Sequence, residues 1–330
     1  PVITLIGDNP MILECNFEFI DPGATVADTC DGSGIPARIV FNNVNISRTG
    51  TYQVVYRAED SSGNYSEAMR EVRVINCYKN ISTIEELQKI GNDPAYPMDG
   101  EYELIADIDA SVTRNWNSGT GFNPIGTLSN PFVGKFNGNG HKITNLYINR
   151  PSMNYVGIFG YVESIGEVRN LGLDGCWIKG KEYVGGLVGL NKGTVSNCYS
   201  TSSMVGYPPV DISSYVGGLV GTNDGGMILD SFSIGSVYWA SYVGGFIGFN
   251  NNGMISNSHS AGDVGGVEDF IGGFVGINSG TITNSYSSGS VNGNGDNVGG
   301  FVGSNGYCDD VGNCSGGMIS GSYSTGDVNG

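Results

Sequence analysis

The residues that could carry out chemistry are few, and their spacing does not suit a catalytic site. The chain has two histidines, His141 and His259, and neither lies in the H-E-x-x-H pattern that holds zinc on a helix. A hydrolase that cleaves sugars needs two converging carboxylates, whereas the acids of the C-terminal half mostly occupy turn-like positions. We therefore predict that the chain is not an enzyme and that it requires no cofactor.

One group of oxygen-bearing side chains could still bind a metal ion. The turns of the N-terminal segment contain Asp28, Asp31, Asp60 and Asn64, and oxygen atoms of this kind are the ligands that Ca²⁺ prefers. If these turns meet at one end of a β-sandwich, the four side chains predict a calcium site. The alternative is that they belong to ordinary Asp/Gly turns.

The charge of the chain excludes two classes of partner. The net charge is −17 at pH 7, and no lysine or arginine follows Lys192. Nucleic-acid binding and attraction to anionic lipids both need a basic surface. No apolar run approaches the ~20 residues of a membrane-spanning helix. We expect neither a nucleic-acid partner nor insertion into a membrane.

Two pairs among the seven cysteines are close in sequence. Cys15 and Cys30 flank a short acidic stretch, and Cys308 and Cys314 bracket a short insertion. Neither pair has zinc-finger spacing, so we predict a disulfide within each pair. Disulfides persist in oxidising compartments, and the pattern therefore predicts an extracellular or cell-surface location. The remaining cysteines have no assigned partners.

A glycine-rich heptad dominates the C-terminal part of the chain. It reads Tyr-Val-Gly-Gly-Leu-Val-Gly from position 183, and it returns with small changes from positions 215, 242, 270 and 297, after a shorter copy at 155. A repeat of about 27 residues indicates a solenoid, here with about three short strands in each coil. Stacked coils place equivalent residues in columns, so the asparagine after each heptad predicts a ladder of amides at a turn. The ladder residues are Asn191, Asn223, Asn250, Asn278 and Asn305.

The strand that follows each of these asparagines predicts which side chains form the core. In the repeat that starts at 183, Val195 and Tyr199 fall on one face of a regular strand, and small polar residues and Cys198 lie between them. We predict that the aliphatic and aromatic columns face the core and that the serine-rich columns face outward. The opposite arrangement stays open, because Asn197 shares the aromatic face.

The chain divides into three segments by pattern. Short β-rich runs separated by Gly, Pro, Asn and Asp predict a small β-sandwich over residues 1–76. Residues 77–100 predict a junction with one short helix, because Ser82-Thr-Ile-Glu-Glu86 contains a capping box and Gly91 can end the helix. Residues 101–330 predict a right-handed parallel β-helix whose first coil this helix covers. The predicted fold is therefore all-β.

Two stretches of the chain resemble known families. The segments ITLIGDNP, DPGATVADTCDG, TGTYQVVYRAEDSSGNYS and REVRVI resemble bacterial immunoglobulin-like domains related to hyalin repeats. From STIEEL through FNGNGHKITNL to the heptads, residues 80–330 are similar to GLUG-motif proteins, which include large adhesins and the N-terminal regions of immunoglobulin-A-specific peptidases. The first resemblance implies an Ig-like β-sandwich, and it implies the spacer or adhesion role that such modules have in secreted and surface proteins.

These observations predict a non-catalytic extracellular structural protein, such as a subunit of a filament, stalk or surface layer. Because no cap follows the last coil, we expect another copy of the chain, stacked head to tail, or a longer parent chain to cover it. Two alternatives stay open. The chain could be an adhesin that binds glycan or host protein through the loops at 204–214 and 308–314, or it could be the non-catalytic arm of a larger secreted peptidase.

Overall fold

A computed structural model describes residues 1–32, 34–75, 77–205, 214–238, 241–266, 270–308 and 314–329. The chain divides into two compact units, Pro1–Tyr78 and Lys79–Gly330. Both units consist of strands, as the sequence predicts. Among the described residues, the helical segments are the α-helix Ile84–Lys89 and the 3-10 segments Ser111–Asn115 and Asn117–Gly119.

The first unit is a β-sandwich whose core comes from alternating residues of two long strands. One sheet pairs Val2–Leu5 with Ala24–Ala27 in antiparallel fashion. The other sheet contains, in spatial order, Met11–Glu14, Tyr65–Ile75, Gly50–Glu59 and Arg38–Asn42. Every second residue of the long strands is buried where they cross the core, which is the pattern of strands with one covered face. The buried cluster consists of Leu13, Val54, Tyr56, Val72 and Val74.

The structure corrects the predicted pairing of Cys15. Strand Met11–Glu14 runs parallel to Tyr65–Ile75 with Glu14 opposite Ile75, so the residues that follow the two strands are neighbours. Cys15 is bonded to Cys77, with the Cα atoms 4.9 Å apart, and Cys30 is a free, exposed thiol. The predicted Cys15–Cys30 bond is therefore wrong, because closeness along the chain was weighed above the pairing of strands.

The other cysteines lie in the second unit. The side chains of Cys308 and Cys314 fall outside the described part of the structure, and their disulfide stays a prediction. Their backbones belong to a short antiparallel ladder of Tyr307–Cys308 with Cys314–Ser315, in which Cys308 is opposite Cys314. Cys176 and Cys198 are buried free thiols. Burial raises the pKa of Cys198 to about 12, so this thiol is not a reactive thiolate at neutral pH.

Peptide mapping without reduction is expected to recover a cross-linked pair that contains Cys15 and Cys77. The two cysteines are 62 residues apart. In the chain-entropy model, closing a loop of this length raises the free energy of unfolding by about 4 kcal/mol. Cys30 should react with iodoacetamide before reduction, because its side chain is exposed. A cross-linked peptide that contains Cys15 and Cys30 would contradict the assignment, and so would alkylation of Cys15 without reduction.

The second unit is a stack of coils whose described strands form five parallel sheets, named S1 to S5. Sheet S1 contains Lys79–Ile81, Glu101–Leu104, Lys135–Asn137, Glu167–Arg169, Thr194–Ser196, Met227–Leu229, Met254–Ser256, Thr281–Thr283 and Met318–Ser320. Sheet S2 contains Ile108–Asp109, Lys142–Thr144, Gly172–Asp174, Tyr199–Ser200, Phe232–Ser233, His259–Ser260, Tyr286–Ser287 and Tyr323–Ser324. Sheet S3 contains Tyr147–Asn149, Trp177–Lys179, Ser203–Val205, Val237–Tyr238, Val264–Gly266, Val291–Gly293 and Val328–Asn329. Sheet S4 contains Asn154–Val156, Glu182–Gly185, Tyr215–Gly217, Tyr242–Gly244, Ile271–Gly272 and Val298–Gly299. Sheet S5 contains Phe159–Val162, Val188–Asn191, Val220–Asp224, Ile247–Asn251, Val275–Asn278 and Val302–Asn305.

A complete coil contributes one strand to each sheet, in the order S5, S1, S2, S3 and S4. The sequence predicts about three strands in a coil, and the structure has five because two corners divide the expected strands. A corner at Gly186 and Leu187 separates S4 from S5 within the heptad. Asn197, whose φ is 52°, forms the corner between S1 and S2.

The predicted capping helix is present, and Thr83 is its N-cap. The Thr83 hydroxyl accepts a hydrogen bond from Glu86 N at 3.2 Å, and the Glu86 carboxylate accepts one from Ser82 N at 2.8 Å. The helix buries Ile84 and Leu87 in the solenoid core. Gly91 follows in the left-handed conformation, with φ at 76°, as is common after a helix.

In sheet S1 the aliphatic column faces the core, as predicted. The S1 residues Val195, Ile228, Ile255 and Ile282 are fully buried. They align directly in the parallel register, so each contacts its equivalents in the coils before and after. The core of the solenoid is therefore a set of matching apolar columns.

In sheet S2 the prediction is wrong, because the aromatic column faces outward and the serines face inward. Rings from Tyr199 to Tyr323 are at least partly exposed, and they stack with centroids 4.7 to 5.5 Å apart. The fully buried column is Ser200, Ser233, Ser260 and Ser287. The left-handed corner between S1 and S2 interrupts the alternation of inward-facing and outward-facing side chains. Counting every second residue from Val195 therefore gives the wrong face for Tyr199.

Candidate functional site: a tyrosine groove on the solenoid

The asparagines that follow the heptads form one column of amides in the solenoid. Each Nδ2 donates to the Oδ1 of the asparagine in the next coil, at 2.8 to 2.9 Å from Asn191 through to Asn305. The members from Asn191 to Asn278 are fully buried. The ladder asparagines lie at or near the ends of S5 strands. They are distinct from the left-handed corner residues between S1 and S2, which form a separate column that includes Asn197. The amide ladder therefore binds coil to coil and offers no open site.

The four residues of the predicted calcium site lie in neighbouring turns, where their oxygens accept hydrogen bonds from the chain. Asp28 accepts from Asp31 N at 2.9 Å, and Asp31 accepts from Ser61 N at 2.6 Å. Asp60 accepts from the Asn64 side chain at 2.9 Å. These hydrogen bonds lower the pKa of Asp28 and of Asp60. No group of three or more His, Cys, Asp or Glu residues suited to a metal occurs in the described part of the chain. The arrangement is that of Asp/Gly turns and does not support the calcium prediction.

The two histidines have packing and turn-holding roles. His141 Nδ1 lies 3.0 Å from Asp107 Oδ1, and the same carboxylate oxygen accepts a bond from Lys142 N. His259 stacks between Phe232 and Tyr286, with ring centroids 4.9 and 4.7 Å away. Burial lowers the pKa of His259, which keeps its imidazole neutral at pH 7.

The glycines of the heptad are needed because backbones from neighbouring coils pass close together. A Cβ on Gly221 would lie 2.6 Å from Gly189 O and from Tyr183 C, and one on Gly186 would lie 2.6 Å from Gly218 O. Such contacts are shorter than real Cβ atoms make, so a larger residue would push the strands apart. The close approach lets the S4 strand of one heptad lie against the S5 strand of the next heptad, as Glu182–Gly185 does against Val220–Asp224.

This close approach produces a column of aromatic rings on the surface of the solenoid. The column is formed by the first residue of the five copies from 155 to 270, namely Tyr155, Tyr183, Tyr215, Tyr242 and Phe270. Successive ring centroids are 4.9, 5.4, 4.8 and 5.3 Å apart, and successive planes differ by 12 to 24°. Each ring is partly exposed. The column therefore presents one aromatic edge to solvent in each of these five coils.

A second column faces these rings and completes a groove of about 300 Å³. It consists of the residues that follow the heptads, Tyr161, Leu190, Thr222 and Phe249, all more than nine-tenths buried. The ring of Phe249 lies 5.5 Å from that of Tyr215. We call this feature the tyrosine groove and define it by the lining residues Leu128, Tyr155, Tyr161, Tyr183, Leu190, Lys192, Tyr215, Thr222, Asp224, Phe249 and Asn251.

The polar side chains of the tyrosine groove are neutral as a group. Lys192 Nζ lies 3.2 Å from Asp224 Oδ2, and Asn251 Nδ2 donates to Asp224 Oδ1 at 2.8 Å. The hydrogen bond to Asp224 raises the pKa of Lys192. The groove thus combines aromatic edges, aliphatic surface and one amide with a compensated ion pair.

Two features of the tyrosine groove are costly for folding. Tyr155, Tyr183 and Phe270 have φ values of 60, 52 and 66°, a left-handed conformation that costs roughly 1–2 kcal/mol for a residue with a Cβ. The Thr222 hydroxyl is buried and has no hydrogen-bond partner among the described residues, which costs about 1–3 kcal/mol. Strained or unsatisfied positions of this kind cluster at binding sites.

The sequence contained one signal for this groove. The aromatic residue recurs at the first position of every heptad up to Phe270, and a repeated exposed aromatic residue is a binding signature. The opposite wall gives no comparable signal, because the residue after the heptad is leucine, threonine or phenylalanine in successive copies. That these columns meet depends on the backbone approach at the glycines, which periodicity alone does not reveal.

Comparison with known families finds a match within each of the two units. Residues 3–74 match the model of the bacterial surface protein Ig-like domain. Residues 180–203, 212–238 and 240–265 match the GLUG motif, and these segments contain the heptads at 183, 215 and 242. Among the residues that the structure describes, no helix is long and apolar enough to cross a membrane.

Individual proteins show more distant likenesses. Halomucin of Haloquadratum walsbyi is 38% identical over 129 residues, which are 38% of this chain and 1% of halomucin. A protein of Evansella cellulosilytica named as a Gly-rich membrane protein is 38% identical over 123 residues, which are 36% of this chain and 14% of that protein. The chain thus corresponds to a small part of both relatives.

Solved structures include a chain from Bacteroides ovatus named as an immunoglobulin A1 protease. It has a TM-score of 0.47 and 20% identity, covering 74% of this chain and 84% of that one. A second structure, named IgA1 Protease, has a TM-score of 0.47 and 16% identity, covering 88% of this chain and 25% of that one. By its family matches, the chain carries a bacterial surface protein Ig-like domain followed by a solenoid that contains GLUG motifs.

Proposed function

We propose that the chain is a non-catalytic structural module of an extracellular prokaryotic cell surface. The observation that carries the proposal is the amide ladder from Asn191 to Asn305, which ties five successive coils together. Each coil is also bonded to the next through five parallel sheets. Stability in such a stack comes from interfaces between neighbouring coils, and a continuous bonded stack suits a spacer or stalk.

Family membership and cysteine chemistry support the surface location. The N-terminal domain matches a model described for bacterial surface proteins, and the two relatives are named halomucin and Gly-rich membrane protein. The Cys15–Cys77 disulfide favours an oxidising compartment. A non-catalytic role is supported by the histidines, which hold a turn and an aromatic stack.

Protease treatment of intact cells tests this proposal. Trypsin added to washed cells that express the protein is expected to release its peptides, whereas a cytosolic control enzyme stays intact. All trypsin sites lie at or before Lys192, because no lysine or arginine follows it. Recovery of these peptides only after cell lysis would contradict a surface location.

Self-association in a filament or stalk is the second part of the proposal. Each coil presents the same columns, so an equivalent coil from another copy could extend them as the chain's own coils do. Light scattering on the purified chain at rising concentration is expected to show growing particles. A strictly monomeric species at all concentrations would contradict this part.

The two alternatives from the sequence have separate tests. The loop at 204–214, through which an adhesin would bind, lies largely outside the described residues, as does most of the loop at 308–314. A glycan array with a variant lacking residues 206–213 would test that role. An H-E-x-x-H motif in a longer open reading frame would favour the arm of a secreted peptidase.

A further inference from the structure

We propose that the tyrosine groove binds a linear, uncharged polysaccharide that lies along the solenoid axis. The aromatic wall of the groove belongs to a column that adds one ring in each coil from Tyr155 to Phe270, and neighbouring parallel strands lie ~4.8 Å apart. The sugar rings of an extended polysaccharide follow one another at a similar interval, so successive sugars can meet successive tyrosines in the same way. A periodic surface thus matches a periodic ligand.

The chemistry of the two walls fits a sugar. Pyranose rings present apolar C–H groups on their faces and hydroxyl groups around their rims. The first wall offers partly exposed tyrosine rings with hydroxyl tips, which are apolar at one end and polar at the other. The second wall offers the apolar side chains of Leu190 and Phe249. Asn251 and the Lys192–Asp224 pair supply donors and acceptors for hydroxyl groups.

The groove does not suit charged polymers. The charge of Lys192 is already compensated by Asp224 at 3.2 Å, and Glu163 lies beside the groove, where it accepts a bond from the Tyr161 hydroxyl at 3.0 Å. An anionic polysaccharide would meet this carboxylate and the net charge of −17. An extended cationic polymer would find no row of unpaired carboxylates among the lining residues.

The groove also offers no backbone edge to a peptide. Peptides that bind by β-augmentation need an unpaired strand. In the groove, strand Glu182–Gly185 is paired on both sides, with Asn154–Val156 and with Tyr215–Gly217. Strand Val188–Asn191 is likewise paired with Phe159–Val162 and with Val220–Asp224. Recognition must therefore use side chains, as it does for a glycan.

Two features of the groove that destabilise the fold supply independent support for ligand binding. Tyr155 and Tyr183 keep bulky rings in a left-handed conformation that glycine or asparagine would adopt more easily. The Thr222 hydroxyl is unpaired and lines the groove, although a valine would fill the same volume without that cost. A ligand hydroxyl that bonds to Thr222 would account for its retention.

Affinity electrophoresis of the purified chain tests the proposal with defined polymers. The neutral probes are hydroxyethylcellulose and glucomannan, which have extended β-1,4-linked backbones, and the anionic probe is hyaluronan. At least one neutral polymer is expected to retard the chain. Retardation by none of the neutral polymers, or by hyaluronan alone, would overturn the proposal.

A pair of double variants localises the binding. Tyr183→Ala with Tyr215→Ala should weaken binding about tenfold or more, because each aromatic contact contributes on the order of a few-fold to tenfold. The matched control is Tyr199→Ala with Tyr286→Ala, which removes two stacked rings from the outer column of sheet S2. Equal loss in both double variants, or full binding in the groove variant, would overturn the assignment to the groove.

Thr222→Val separates binding from stability. The substitution keeps the shape of the side chain and removes the unpaired hydroxyl, so the thermal midpoint should stay constant or rise. Binding of the polysaccharide should weaken about threefold to tenfold. Unchanged binding with a raised midpoint would show that the hydroxyl is only a structural defect, and it would remove Thr222 from the site.

Discussion

Ile255→Asp is expected to disrupt the solenoid and to lower its unfolding free energy by on the order of 4 kcal/mol. Ile255 is fully buried in sheet S1, and its register partners are Ile228 and Ile282. A carboxylate there would have no partner within an apolar column, and an unpaired buried charge is among the most destabilising changes. Denaturant titration followed by circular dichroism measures the loss.

Met254→Asp is the matched control for Ile255→Asp, because it makes the same change one position away in the same strand. The Met254 side chain is 46% exposed, so its carboxylate stays in water and the unfolding free energy should change by less than about 0.5 kcal/mol. Equal losses in the two variants would contradict the facing of sheet S1.

The same coil also tests the facing of the serines. Ser258 is 1% exposed, and its hydroxyl donates to Ser256 O at 2.8 Å, whereas Ser256 is only half-buried. Ser258→Asp should therefore be severe and Ser256→Asp mild. Mild effects in both variants would restore the facing that the sequence predicts, in which Ser256 and Ser258 both point outward.

The contrast between S1 and S2 shows what periodicity can and cannot predict. The alternation within a strand is a local property, and it placed Val195 and its equivalents in the core correctly. Which side chains of the following S2 strand face the core depends on the conformation of the corner residue between the S1 and S2 strands. Asn197, Asp230, Asn257 and Asn284 all adopt positive φ, and a left-handed corner resets the alternation. Asn and Asp at this offset were visible in the sequence, but their role as a corner was not recognised.

The tyrosine groove illustrates a second limit of structure prediction from a single sequence. The heptad itself predicts a repeating element, and the family match agrees with it. The groove, however, depends on contacts between consecutive coils, because Gly189 and Gly221 allow backbones to approach within van der Waals distance. Single-sequence patterns describe neighbours along the chain, whereas this site lies between residues a full coil apart.

The Ig-like unit contains a buried charge that sequence reasoning did not identify. Arg70 is fully buried, and its guanidinium donates to Ile6 O and Asp8 O at 2.6 Å and to Gly23 O at 3.0 Å. The Asp21 carboxylate lies 3.4 Å from Arg70 Nε and accepts a short hydrogen bond from the Tyr56 hydroxyl. Arg70 and Arg73 look alike in the sequence, because both lie in the same strand within two residues of Glu71.

The exposed Arg73 provides a matched control for a substitution of the buried Arg70. Arg70→Met should destabilise the Ig-like unit by about 3–5 kcal/mol, because it leaves the Asp21 charge uncompensated and three carbonyls without their donor. Hydrogen exchange with mass spectrometry on the full chain should then show lost protection in residues 50–75, with the solenoid unchanged, since the two units have separate cores. Arg73→Met is the control, because Arg73 is half exposed and pairs with Glu71 at the surface, where an ion pair contributes about 0–1 kcal/mol. Equal exchange in the two variants would show that the buried guanidinium does not hold this unit together.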